Sequence, residues 1–205
     1  MKTSSYHHGD LKNALIQAGV QVLASKGVNG LSLREVAKRA GVSHSAPYAH
    51  FADKQALIAA IATEGHNHIH DVITTIFEQY PDDPLQQLIE TGCAYLRFGL
   101  DEPDLFKITF SGVVEQEHNH PDLVKITKEN FFLIRQLVSR CQAASIFAPG
   151  PEDLIAQNLW GSVYGLVTLL QQGQISSTVL DHYSPRQILL FTLDLMTQIN
   201  ISLEE

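Results

Sequence analysis

The sequence predicts an all-α protein: an N-terminal three-helix head of the helix-turn-helix kind, joined by a long helix to a C-terminal helical bundle. Three observations carry that reading. Apolar residues recur at spacings of three and four, and no stretch alternates with the period of two that a strand requires. Helix-start signals, a Ser or Asp followed by Pro or by Glu/Gln three residues on, precede the periodic segments. Gly and Pro punctuate the chain between them, at Gly27, Gly41, Pro81, Pro84, Pro103, Pro121 and Pro149-Gly150-Pro151.

Residues 1–9 read as an arm without the apolar core of a signal peptide. A helix follows over 10–26, where Leu11, Leu15, Ala18 and Val22 form a core-facing stripe. Gly27 stops it, and Asn29-Gly30 marks a turn. Residues 32–57 then read as two short helices about a tight turn. Ser32 caps the first and Glu35 completes a capping box; Leu33, Val36 and Ala40 give it one apolar face, and Gly41 ends it in the left-handed conformation. Ser43 is the expected N-cap of the second. Pro47 sits at its fourth position without an N–H, so this helix either begins one residue later or opens with a tighter turn. Asp53 caps a long helix over 54–79, in which Gly65 is an interior flaw worth about 1 kcal/mol against Ala. Helix, Gly-centred turn, helix is the helix-turn-helix pattern, whose second helix enters the DNA major groove.

In the body, Asp83, Pro84 and Gln86 open a helix over 84–101, and Pro103 opens another to 111. A loop holding Glu115, Glu117, His118 and His120 leads to a helix over 121–145. The last two helices, 152–172 and 185–201, are apolar nearly all round; Ser184 and Gln187 box the start of the second. Helices of that kind are buried on two sides, one in their own core and one against a partner subunit packed as a four-helix bundle.

Charge and chemistry narrow the function. Residues 1–60 hold seven Lys/Arg against three Asp/Glu, a net of +4, whereas 61–205 hold seven against nineteen, a net of −12. A basic head on an acidic body suits a module that touches phosphates at one end. Cys93 and Cys141 are isolated, so no disulfide framework is expected and a reducing cytoplasm is the expected location. No run of 18 apolar residues predicts a membrane span. Gly-x-Ser-x-Gly, a phosphate loop, a dinucleotide fingerprint and His-Glu-x-x-His are all missing, so neither an enzyme nor a cofactor is expected. His66 and His70 share a helix face within Glu64-x-His66-x-His68-x-His70-Asp71, a workable two-ligand metal pair from which His68 points away. Glu115-x-x-His118 and Glu117-x-x-His120 overlap in one loop, whereas carboxylate-bridged sites need facing helices. Solvated or cavity-lining histidines, not a metal site, are the expectation.

Ala37-x-x-Ala40-Gly41-Val42-Ser43, then Tyr48-x-His50-Phe51-x-x-Lys54-x-x-Leu57, closely resembles, without a gap, the DNA-binding segment of the TetR family of bacterial repressors. The resemblance implies a DNA-binding domain over 9–69 and an effector-binding and dimerisation domain over 70–205. It implies a ligand-responsive dimeric repressor whose two heads read an inverted repeat, half-sites one helical turn or a multiple apart. Arg34 sits where some relatives read guanine; His44 and Ser45 are placed to reach base edges; Tyr48, His50 and Lys54 match phosphate-holding positions, and Ser43 suits both a cap and a phosphate. Ala46 stands where Thr is frequent and Ser45 where Gly is frequent; Val42 and Phe51 read as core. In the body the resemblance implies a small-molecule effector in a pocket near Tyr95, Phe98, Phe106, Phe110, Phe131 and Trp160, aromatics that helical spacing alone would assign to the core. It implies a homodimer through 152–172 and 185–201. Trp160-x-x-x-Tyr164-Gly165 is similar to the family subgroup with Trp-x-x-x-His-Gly, Tyr replacing His. Two other readings are a helical metal sensor or metalloprotein using His66 and His70, and an architectural DNA-binding protein without an effector.

Overall fold

Side-chain caps set the helix starts. Ser32 Oγ accepts the Glu35 N–H at 3.2 Å, Asp53 Oδ1 the Ala56 N–H at 2.8 Å and Asp83 Oδ1 the Gln86 N–H at 2.9 Å. Ser184 and Gln187 cap each other reciprocally at 3.2 and 2.9 Å. Each bond satisfies a first-turn N–H that has no partner inside its helix. The computed structural model describes residues 8–110, 112–115, 117–199 and 201–203. Its helices are α1 (His8–Gly30), α2 (Leu33–Ala40), α3 (Lys54–Gln79), α4 (Pro84–Asp101), α5 (Pro103–Phe110), α6 (Pro121–Ala143), α7 (Glu152–Gln171), α8 (Ser177–Leu180) and α9 (Pro185–Asp194), with 3₁₀ turns at Ala46–Ala49 and Glu117–Asn119. Among the described residues there is no strand.

Several boundaries differ from expectation. The arm lies outside the described residues up to residue 7, and His8 and Gly9 already belong to α1. Gly27, at φ 65°, breaks the helical path of α1 where the sequence places its stop. Glu35 does not complete the capping box: its carboxylate turns to Lys26 Nζ at 2.8 Å, clipping α1 to α2. That exposed pair holds the Glu35 carboxyl below the usual range. α6 stops at Ala143, two residues early, before Ser145 turns to φ 59°. α9 stops at Asp194 rather than 201, because Asp194 Oδ1 accepts the Ile201 N–H at 2.7 Å and folds the chain back onto its own end. α8 has no counterpart in the sequence reading.

The chain forms two compact units. One takes residues up to His66 together with Asp104–Lys125; the other takes Asn67–Pro103 and Ile126–Glu205. The division therefore falls inside α3, and α5 joins the first unit. That unit's core is built from Leu15, Val22 and Leu23 of α1, Val36 and Ala37 of α2, Phe51, and Leu57, Ile58 and Ile61 of α3. Burying each large side chain of this set contributes roughly 1.5–3 kcal/mol. In the second unit α4, α7 and α9 pack on one another. Gln87, fully buried, pins the turn before α4 by donating to the Tyr80 carbonyl at 2.7 Å while accepting from Arg140 at 3.2 Å. α7 buries Ala156, Leu159, Val163 and Val167, and α9 buries Leu189, Leu190 and Leu193. Apolar side chains also stand open on them: Leu154 and Leu169 of α7, Phe191 of α9 and Leu195 just after it are 66%, 41%, 50% and 71% exposed.

Candidate DNA interface and body cavity

Pro47 decides the shape of the segment after α2. An α-helix continuing from Ser43 needs the N–H of residue 47 on the Ser43 carbonyl, and proline has none. The Ala46 N–H takes that carbonyl instead, at 3.0 Å; Tyr48 N–H bonds the Ser45 carbonyl at 3.2 Å and His50 N–H the Pro47 carbonyl at 2.9 Å. This is the three-residue spacing of a 3₁₀ turn, the tighter of the two expected resolutions, and it does not continue into an α-helix before α3. Ser43 consequently caps no α-helix: its Oγ lies 3.1 Å from Ser45 Oγ, and Ser45 is the residue that precedes the turn.

The turn separates anchors from presented side chains. Pro47 and Phe51 are buried and Val42 is half-buried. Ser43, His44, Ser45 and Tyr48 are exposed, Tyr48 by 56%. His50 is half-buried, its ring 6.3 Å from that of Phe51. Arg34 is exposed on the first turn of α2. Lys54 has a structural partner: its Nζ donates to the Val28 carbonyl, just past the Gly27 break, at 2.7 Å. An ammonium has three donors, so two remain for a phosphate.

The six aromatics of the body do not line one cavity. Tyr95 and Trp160 do share one, with Leu88, Thr91, Gly92, Ile134, Leu159, Val163 and Leu193. Phe98 is buried beside His68, ring centres 5.2 Å apart. Phe106 and Phe110 pack edge to face at 4.8 Å within the first unit. Phe131 is 39% exposed on α6. Trp160 stacks on Tyr164 at 5.3 Å, rings 17° from parallel. Burial pushes the Tyr95 hydroxyl far above its usual range and the Cys141 thiol up to about 12. Sequence reasoning missed Thr91, which lies one helical turn before Tyr95; that spacing was the available signal.

The histidines also separate. His66, expected as solvated or cavity-lining, is buried against Phe110 at 5.2 Å. Burial lowers its pKa from 6.5 to about 4, opposed by a hydrogen bond to the Thr109 backbone. His70 Nδ1 meets Asn130 Oδ1 at 2.9 Å. Among the described residues no three His, Cys, Asp or Glu come together as a metal cluster, and no helix is long and apolar enough to cross a membrane.

Two family models cover most of this architecture. Residues 15–61 match bacterial regulatory proteins of the tetR family, and residues 88–190 match the tetracyclin repressor-like C-terminal domain. The chain belongs to the TetR family. Members of this family are DNA-binding transcription regulators, not enzymes. The chain is 42% identical over 62 residues to the class A tetracycline repressor protein from transposon 1721 of Escherichia coli, 29% of each chain. It is 31% identical over 81 residues to the HTH-type transcriptional regulator AcrR of Shigella flexneri, 40% of this chain and 38% of that one. The match thus spans well under half the length of either relative. Across nearly the whole fold, a solved protein of unknown function from Rhodococcus sp. RHA1 superposes with a TM-score of 0.77 at 27% identity, covering 95% of this chain and 97% of the other.

Proposed function

We propose that this TetR-family chain is a ligand-responsive dimeric repressor that reads an inverted-repeat operator in the cytoplasm. One observation carries the reading: His44, Ser45 and Tyr48 project from a turn whose anchors, Pro47 and Phe51, are buried. Exposed side chains on a rigidly held turn are what base and phosphate contacts require. The DNA-binding domain spans 9–69 and the effector-binding and dimerisation domain 70–205. His44, Ser45 and Arg34 reach base edges, while Ser43, Tyr48, His50 and Lys54 hold phosphates. The homodimer forms through 152–172 and 185–201, where Leu154, Leu169, Phe191 and Leu195 stand exposed. The effector binds in the body at the Tyr95 and Trp160 cavity, and favours the state that fits the operator poorly. Kinship with the Trp-x-x-x-His-Gly subgroup rests on Trp160 and Gly165, with Tyr164 keeping an aromatic ring on Trp160.

Selection of random duplex DNA by the purified protein tests this. The expected product is one inverted repeat, bound with affinity that falls roughly 10³-fold or more between 50 and 200 mM salt. Arg34→Ala and His44→Ala then relax individual positions of the repeat. Lys54→Ala weakens all sequences alike. Failure to enrich any repeat at low salt, from protein shown by mass spectrometry to carry no small molecule, would sink the reading.

A further inference from the structure

Thr91 is the anomaly of the body. Five other helical threonines, Thr63, Thr75, Thr109, Thr168 and Thr192, give their hydroxyl to the carbonyl four residues back at 2.8 or 2.9 Å. Thr91, 4% exposed in the middle of α4, does not: its Oγ1 is buried without a hydrogen-bond partner. A buried hydroxyl left unpaired is costly, and native structures leave few of them. Thr91 lines the cavity of Tyr95 and Trp160.

Among the described residues the rest of that lining is glycine, aliphatic or aromatic, with no Asp, Glu, Lys, Arg or His. The cavity is small, about 20 Å³. One water fits that space, but stable buried waters have two to four polar partners. Among the described residues, Thr91 Oγ1 is the one fully buried side-chain polar atom of this lining that lacks a partner. An ion seated here would shed its water with no opposite charge to meet. Trp160 is the one lining residue that is not buried, so the cavity widens most readily by its displacement.

We propose that the effector is a small uncharged molecule with an apolar body and one hydrogen-bonding group, seated between Leu88, Tyr95, Ile134, Leu159 and Trp160 with that group on Thr91 Oγ1. The inference rests on the reading that the body binds an effector, and it specifies the class. Trp160, the chain's single tryptophan, reports occupancy directly.

The test uses the full-length protein and four probes on one skeleton: cyclohexylmethanol, methylcyclohexane, cyclohexanecarboxylate and cyclohexylmethylammonium, each titrated against Trp160 emission. The alcohol is expected to shift the emission saturably, with the carboxylate and the ammonium at least tenfold weaker. Thr91→Val is expected to weaken the alcohol about five- to tenfold, the worth of one neutral hydrogen bond, and to leave methylcyclohexane unchanged. Thr91→Ser, which keeps the hydroxyl, retains alcohol binding. Equal binding of either ion, an unchanged alcohol affinity in Thr91→Val, or a Trp160 signal that no probe moves would each overturn the proposal. Operator release is measured separately on the same samples. If the alcohol binds but the operator stays bound, the regulatory reading fails and the ligand class stands.

Discussion

At the scale of single residues, the structure reverses two sequence expectations and each reversal is measurable. Gly65 reads as a helix flaw that Ala should repair by about 1 kcal/mol. In the fold a Cβ at position 65 would lie 1.9 Å from Thr109 Oγ1. Gly65→Ala is therefore expected to destabilise the protein by about 1–3 kcal/mol in urea unfolding; a stabilised variant would show that α3 and α5 do not meet this closely. His66 reads as one of a solvated or cavity-lining set, yet it is buried and held neutral, its pKa lowered from 6.5 to about 4. The unfolded chain thus binds this proton better than the folded one. Its contribution is full above pH 6.5 and is lost as pH falls toward about 4, by about 3 kcal/mol at the limit. Unfolding at pH 7.5 and pH 5 measures the loss, and His66→Phe should flatten it. Thr91→Val, which removes an unpaired hydroxyl, should raise Tm by about 2–4 °C. None of these was legible in the sequence. Periodicity names the face of a helix a residue occupies, but not the side chain that meets it from an element far along the chain.

Elements were the most legible scale. The starts of α2, α3, α4 and α9 follow from Ser32, Asp53, Asp83 and Ser184, because a cap is a local bond between residues three apart. Helix ends were read less well: α9 ends through Asp194 reaching Ile201, seven residues on, and no local signal encodes such a closure. The turn at Ala46–Ala49 lies between these cases. Pro47 announced a conflict, but choosing between its two resolutions needed the bonding of Ser43, Ser45 and Pro47. If the missing N–H is the whole cause, Pro47→Val restores a donor for the Ser43 carbonyl and extends the turn into α-helix. Hydrogen exchange should then show a protected amide at residue 47, and duplex selection should yield an altered repeat. An unprotected amide would place the cause elsewhere, in the packing of the buried Pro47 ring.

For the whole molecule, the family and the helical architecture were legible because the head motif is dense and ungapped. The cavity was not. Six aromatics at helical spacing all qualify as lining, and only the packing of α4, α6, α7 and α9 selects Tyr95 and Trp160. Assembly is tested at this scale. Leu154→Glu combined with Leu195→Glu places charge on the exposed side of α7 and at the end of α9 without touching either core. Sedimentation should find monomers, and operator affinity should fall about 10²-fold or more as two linked contacts become one; a dimer that survives both changes uses another surface. The turn between α2 and α3 carries a last consequence. Its buried anchors, Pro47 and Phe51, hold the backbone, while His44, Ser45 and Tyr48 contribute little to the core. Changes at those three positions therefore cost little stability, since exposed side chains outside caps and cores shift it by about 0.5 kcal/mol or less. A lineage carrying this scaffold is free to acquire new operators by drift at the His44 and Ser45 codons, and a library randomised at all three positions should be almost entirely folded.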